Sequence, residues 1–144
     1  MPPEDSARII IQHVIHGIEL AKSYKLPDQI IDFIRTHHGT TATRYFFKNY
    51  QLQNPDKQID ESLFRYPGPI PFSKETAVLM MADSVEAASR SLKKYDAQSI
   101  DNMVDQIIKY QIEENQFLNS DITFQDITDI KKIFKRKKII DRMP

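Results

Sequence analysis

Cysteine is absent from the 144-residue chain, which excludes a disulfide scaffold, a thiolate zinc site and a cysteine nucleophile and leaves the redox compartment open. Glycine occurs only at Gly17, Gly39 and Gly68, too rarely for the many tight turns of a sandwich or barrel. Neither sign of charge is in excess. The 20 Lys and Arg balance 20 Asp and Glu, which removes the global argument for nucleic acid or an anionic membrane as the main partner. No apolar run approaches the ~18 residues that a bilayer-spanning helix needs, and Met1-Pro2-Pro3-Glu4-Asp5 has no signal-peptide pattern. The chain is therefore expected to be soluble. A glycine-rich phosphate loop, a Gly-x-Ser-x-Gly elbow, a His-Glu-x-x-His helix and an aromatic–basic nucleic-acid platform are all lacking.

What is present suits one helical domain. With 40% hydrophobic, 10% aromatic and 28% charged residues, a core is affordable and wholesale disorder is excluded. The first helix is predicted from about Ser6 to Tyr24, with Ser6 as N-cap or Pro3-Glu4-Asp5 as an acidic first turn. At about 100° per residue, Ile9, Ile10, His13, Gly17, Leu20, Ala21 and Tyr24 share one arc, read as the inward face. Leu26-Pro27 ends it. A second helix runs from Asp28 with Ile30, Ile31, Phe33 and Ile34 facing inward, and stops at His37-His38-Gly39, where Gly39 supplies a left-handed terminus. Thr40 and Thr41 cap a third, to about Tyr50, whose Tyr45, Phe46 and Phe47 read as core. Residues 51–72 hold four prolines and read as a loop, stiffened around Phe64-Arg65-Tyr66-Pro67-Gly68-Pro69. Ser73 caps a helix to about Leu92, and two more follow over 99–113 and 123–138. The crowded cations Lys131, Lys132, Lys135, Arg136, Lys137 and Lys138 read as a solvated helix end in preference to a phosphate or lipid contact.

All four histidines (His13, His16, His37 and His38) fall in the first 38 residues. His13 lies mid-arc with Gly17 one turn on, where a missing side chain leaves room for a bulky neighbour, another helix or an ion. His16 sits at the edge of the arc and reads as structural or exposed. Adjacent residues on a helix point about 100° apart, so His37 and His38 reach one cavity only at a helix end, where Gly39 places them. Three neutral imidazoles suit one divalent transition ion. Asp83 lies in Ala77-Val78-Leu79-Met80-Met81-Ala82-Asp83-Ser84-Val85, apolar nearly all round and so predicted buried. A carboxylate there needs either an arginine (Arg35, Arg44 or Arg90) or a cation that also gathers the histidines.

These residues resemble one branch of the HD-domain metallophosphohydrolases, the seven-transmembrane HD family. The resemblance rests on His13-Val14-x-x-Gly17-x-x-Leu20-Ala21, Leu26-Pro27, His37-His38-Gly39-Thr40-Thr41, Phe64-Arg65-Tyr66-Pro67-Gly68-Pro69, Ser73-Lys74-Glu75 and Ala82-Asp83-Ser84-Val85-Glu86-Ala87-Ala88-Ser89-Arg90. It implies an all-α, HD-domain-like helical bundle, with core motifs over 6–92 and C-terminal helices over 97–141. It also implies a bacterial parent anchored in the cell membrane, whose cytoplasmic domain hydrolyses cyclic di-AMP to linear pApA. The family's centre holds two ions, iron or manganese, and the nucleophile is metal-activated water. Carried over by position, His13, His37 and His38 belong to one ion and Asp83 to the other, with Arg65, Tyr66 and Lys74 assigned to substrate. The family's earlier histidine and its His-Asp dipeptide have no counterpart in this sequence. The resemblance thus implies the C-terminal part of an HD domain, inactive alone and paired with a second copy through an exposed apolar face. Two other readings stand beside it: an HD hydrolase of an alarmone or deoxynucleoside triphosphate, and a non-catalytic helical nucleotide-binding module.

Overall fold

The computed structural model describes residues 1–141. Among the described residues six α-helices follow one another: α1 (Pro3–Ser23), α2 (Asp28–Thr36), α3 (Arg44–Gln53), α4 (Lys74–Ser89), α5 (Ala97–Glu113) and α6 (Phe124–Asp141). A 3-10 turn, Glu61–Phe64, lies between α3 and α4. The all-α expectation holds. Contacts gather into two compact units, Met1–Ile70 and the chain from Pro71 onward.

In the first unit α1 packs on α2, on α3 and on the 3-10 turn. Pro3 occupies the first turn of α1 beside Glu4 and Asp5, so the helix begins three residues before Ser6. Proline lacks the N–H that this turn would leave unpaired, and the two acids suit the dipole. The buried line on α1 is Ala7, Val14 and Ala21, spaced by seven. The predicted arc shares Ala21 with it, but Ile9, Ile10, Leu20 and Tyr24 are all exposed. On α2, Ile31 is buried but Ile30 is exposed, and Tyr45 of α3 is exposed rather than core. The residue that organises this unit is Phe64, fully buried with the rings of Phe47 and Tyr50 at 5.4 and 5.3 Å. Its carbonyl accepts from both the backbone N–H (2.7 Å) and the hydroxyl (2.8 Å) of Thr43. Thus the proline-rich stretch is anchored at its start by a core aromatic.

The second unit is a three-helix cluster of α4, α5 and α6. Ser73 and Thr76 form a reciprocal capping box on α4, Asp96 caps α5 through the Ser99 N–H, and Thr123 and Asp126 exchange backbone bonds at the start of α6. Ala77, Met81 and Val85 of α4 meet Ile100, Met103, Val104 and Ile108 of α5 and Ile127 of α6. On α6, Ile130 and Phe134 join this core while Ile133 is exposed. The cations of α6 are more engaged than a solvated end: Lys135 and Lys131 approach Asp105 of α5 (3.0 and 3.7 Å), and Lys138 pairs with Glu86 of α4. These pairs lie across helices, linking α6 to α5 and α4.

Candidate metal centre

The site begins with the close approach of α1 and α2. A Cβ added to Gly17 would lie 3.2 Å from Ile34 Cγ2, so of the three occupants expected beside this glycine, the structure supplies a helix. That approach sets the end of α2 against the middle of α1. After Thr36 the chain turns: the Gly39 N–H donates to the Thr36 carbonyl (2.9 Å) with Gly39 at φ +51, a conformation glycine adopts without a Cβ penalty. His37 and His38 fall between the end of α2 and this turn, His37 still in helical conformation.

Three imidazoles therefore converge. The His13 ring centre lies 5.6 Å from that of His37 and 5.2 Å from that of His38, and the latter two are 4.0 Å apart. Each histidine places one ring nitrogen within 4.8 Å of the others. The outward nitrogens are set by the backbone: His37 Nδ1–H donates to the Ile34 carbonyl (2.7 Å), and His13 Nδ1–H donates to that of Ile10. Each bond leaves Nε2 with its lone pair available. Burial, reinforced by neighbouring His37 and then His13, pushes the His38 pKa down from 6.5 to about 3. A neutral His38 with its lone pair available is what an imidazole-liganded divalent ion requires. The donor set fits a metal.

Beside the cluster runs an apolar groove of about 500 Å³, lined by His13, Gly17, Leu20, Ala21, Tyr24, Leu26, Ile34 and His37. Five of these are members of the predicted α1 arc, which lines an open groove instead of a filled core. His16 is exposed.

The other assigned residues stand differently. Asp83, expected to be buried, is exposed on α4. It sits about 200° around the helix from Met81 and Val85, the face that packs on α5 and α6, so its apolar neighbours in sequence are not its neighbours in space. Arg90, one of the arginines expected to neutralise it, pairs with Glu86 instead, and Arg35 pairs with Asp32. Among the described residues, the three histidines are the ones close enough together to share an ion. Arg65 donates to the Thr40 carbonyl (2.9 Å) and to Glu61 (2.7 Å). Lys74 pairs with Asp126 (3.2 Å), whose carboxyl is held below its ordinary range by the Thr123 N–H and by that ammonium. Tyr66 is the assigned substrate residue that reaches the cluster, its ring stacked on His38 at 4.3 Å and 18°. Sequence reading missed this contact, and the bridge that creates it joins residues 42 and 65.

No protein-family model matches the chain. It is 39% identical over 132 residues to the cyclic-di-AMP phosphodiesterase PgpH of Bacillus subtilis (strain 168), covering 92% of this chain and 18% of that protein. To the PgpH of Listeria monocytogenes it is 40% identical over 131 residues, covering 91% and 18%. The chain thus spans less than a fifth of the length of these curated relatives. Among solved structures, the L. monocytogenes phosphodiesterase PgpH HD domain in complex with cyclic-di-AMP superposes with a TM-score of 0.95 at 37% identity, covering all of this chain and 67% of that one. Among the described residues, no helix is long and apolar enough to cross a membrane. On its sequence identity, its superposed fold and the two thirds of a PgpH HD domain that it covers, the chain belongs to the PgpH HD-domain family.

Proposed function

We propose that this chain is part of a metal-dependent phosphodiesterase domain that hydrolyses cyclic di-AMP to linear pApA, within a parent anchored so that the domain faces the cytoplasm. The observation that carries the proposal is the cluster of His13, His37 and His38, with ring nitrogens within 4.8 Å of one another. The names of the relatives and the cyclic-di-AMP complex of the superposed PgpH domain support the choice of substrate.

In this reading His13, His37 and His38 would hold one ion and Asp83 would serve the other. When bound, iron or manganese supplies positive charge against phosphate oxygens and acidifies a water for attack at phosphorus. The residues of this chain do the rest. The α1–α2 contact at Gly17 keeps the histidines convergent without substrate, and the carbonyls of Ile10 and Ile34 hold the tautomers of His13 and His37. Arg65 and Lys74 bind substrate phosphates by exchanging Glu61 and Asp126 for them. Tyr66 stacks on adenine with the ring face turned away from His38. By itself the chain is inert, because three imidazoles and one carboxylate leave a two-ion centre short of ligands, and its exposed apolar groove pairs with a second copy.

The test is pApA production from cyclic di-AMP by the purified full-length parent with manganese or iron, set beside this chain alone. The parent is expected to turn over, His38→Ala and Asp83→Asn parents to lose turnover by orders of magnitude, and the isolated chain to show none. A parent that hydrolyses an alarmone or deoxynucleoside triphosphate but leaves cyclic di-AMP intact would overturn the substrate, and a fully active Asp83→Asn parent would remove Asp83 from the centre.

A further inference from the structure

We infer that Tyr66 is a positioning residue for His38: its ring holds the His38 imidazole in the orientation that joins it to His13 and His37. The inference rests on the metal-centre reading and deepens it.

The stack is the flattest ring pair at the site, at 4.3 Å and 18°, while Tyr66 also meets His13 edge-on at 6.0 Å. Tyr66 thus contacts two of the three imidazoles. Of the three, His38 is the one with no hydrogen bond fixing a ring nitrogen among the described residues, whereas Nδ1 of His13 and of His37 is tied to a carbonyl one turn back. A ring with no such tether needs another constraint to keep its lone pair aimed, and an offset aromatic stack provides one.

The chain around Tyr66 is fastened by hydrogen bonds to residues 40–43, which follow the double-histidine turn. The Thr43 N–H donates to the Phe64 carbonyl (2.7 Å), and the Tyr66 N–H donates to the Thr41 carbonyl (3.0 Å), on either side of the Ala42–Arg65 bridge. The Arg65 guanidinium reaches the Thr40 carbonyl (2.9 Å). At Gly68, with φ +78, a Cβ would come within 2.9 Å of Thr40 Cγ2, so the loop lies directly on that turn. Phe64, fully buried, anchors the assembly to the core. Pinned to the segment that carries His38, the Tyr66 ring has little freedom to leave it. The Arg-Tyr-Pro-Gly segment is in this sense a splint for the turn.

The experiment compares the intact chain with its Tyr66→Ala and Tyr66→Phe variants by two readouts. The first is Co²⁺ titration followed by its visible absorption. Tyr66→Ala is expected to weaken binding about tenfold and alter the band pattern, as loss of an orienting neighbour does, while Tyr66→Phe stays within about twofold because the stack needs the ring and not the hydroxyl. The second, on metal-free protein, is NMR of the His38 ring protons, which should move downfield in Tyr66→Ala as the stacked ring is removed and stay in place in Tyr66→Phe. Unchanged Co²⁺ affinity and unchanged His38 shifts in Tyr66→Ala would overturn the inference, as would a Phe variant that behaves like Ala. If the intact chain took up no Co²⁺, the metal reading would fall by itself. The ring-proton shifts would still decide whether Tyr66 orients His38.

Discussion

Replacing Gly68 by alanine challenges the seam between the proline loop and the histidine turn at its tightest point. Two penalties are readable in the structure. Gly68 has φ +78, and holding an L residue at positive φ costs roughly 1–2 kcal/mol. The added methyl would stand 2.9 Å from Thr40 Cγ2, about 1 Å inside ordinary carbon contact. Forcing a methyl into such a site adds about 1 kcal/mol or more. Against these, stiffening of the unfolded chain returns about 0.4–1 kcal/mol. The net expectation is a loss of about 2 kcal/mol. Thr40→Ser removes the opposing methyl but keeps the hydroxyl, so in the Thr40→Ser background the Gly68→Ala penalty should shrink by about 1 kcal/mol and leave the backbone part. Urea unfolding of the four proteins, followed by far-ultraviolet circular dichroism, measures both quantities. A Gly68→Ala protein within about 0.5 kcal/mol of the parent, or a cycle with no coupling, would refute this account of the seam.

Two further outcomes follow from the same geometry. His38, held neutral down to about pH 3 in the fold but ordinarily protonated below 6.5, favours the folded state above pH 6.5, and this contribution is lost as pH falls from 6.5 toward 3 because the unfolded chain takes up the proton first. NMR of metal-free protein should therefore show no His38 inflection near 6.5, and one found there would contradict the burial argument. Phe64→Ala empties the centre of the first unit and should cost about 3–5 kcal/mol in calorimetric unfolding, whereas a loss below about 1 kcal/mol would mean that Phe64 is not the anchor.

How far the chain could be read in advance depends on how local each determinant is. The end of α2 was legible because Gly39 and its positive φ are a local matter, and with it came the pairing of His37 and His38. The period of α1 was legible too, but not which side meets the protein. The buried line is Ala7, Val14 and Ala21, of which the predicted arc held only Ala21, while bulkier Ile9, Leu20 and Tyr24 stay outside, so hydrophobicity alone does not pick out the face that packs. Asp83 fails for a related reason: a window apolar on every side does not reveal which face its partners take, and α5 and α6 take the face of Ala77, Met81 and Val85. The lysines of α6 were read as solvated because Asp105 and Glu86, which they meet, lie in other helices. Tyr66 on His38 was beyond reach, since it arises from a pairing of residues 42 and 65 that no periodicity announces.

The claim on which the rest depends is that three imidazoles of this chain form one ion site. Calorimetric titration of the purified chain with Mn²⁺, repeated with Co²⁺, measures it directly against His13→Ala, His37→Ala, His38→Ala and, as control, His16→Ala. One ion per chain is expected, with binding lost in each of the first three variants and kept in the fourth; equal binding by all four variants, or none by the intact chain, would contradict the account.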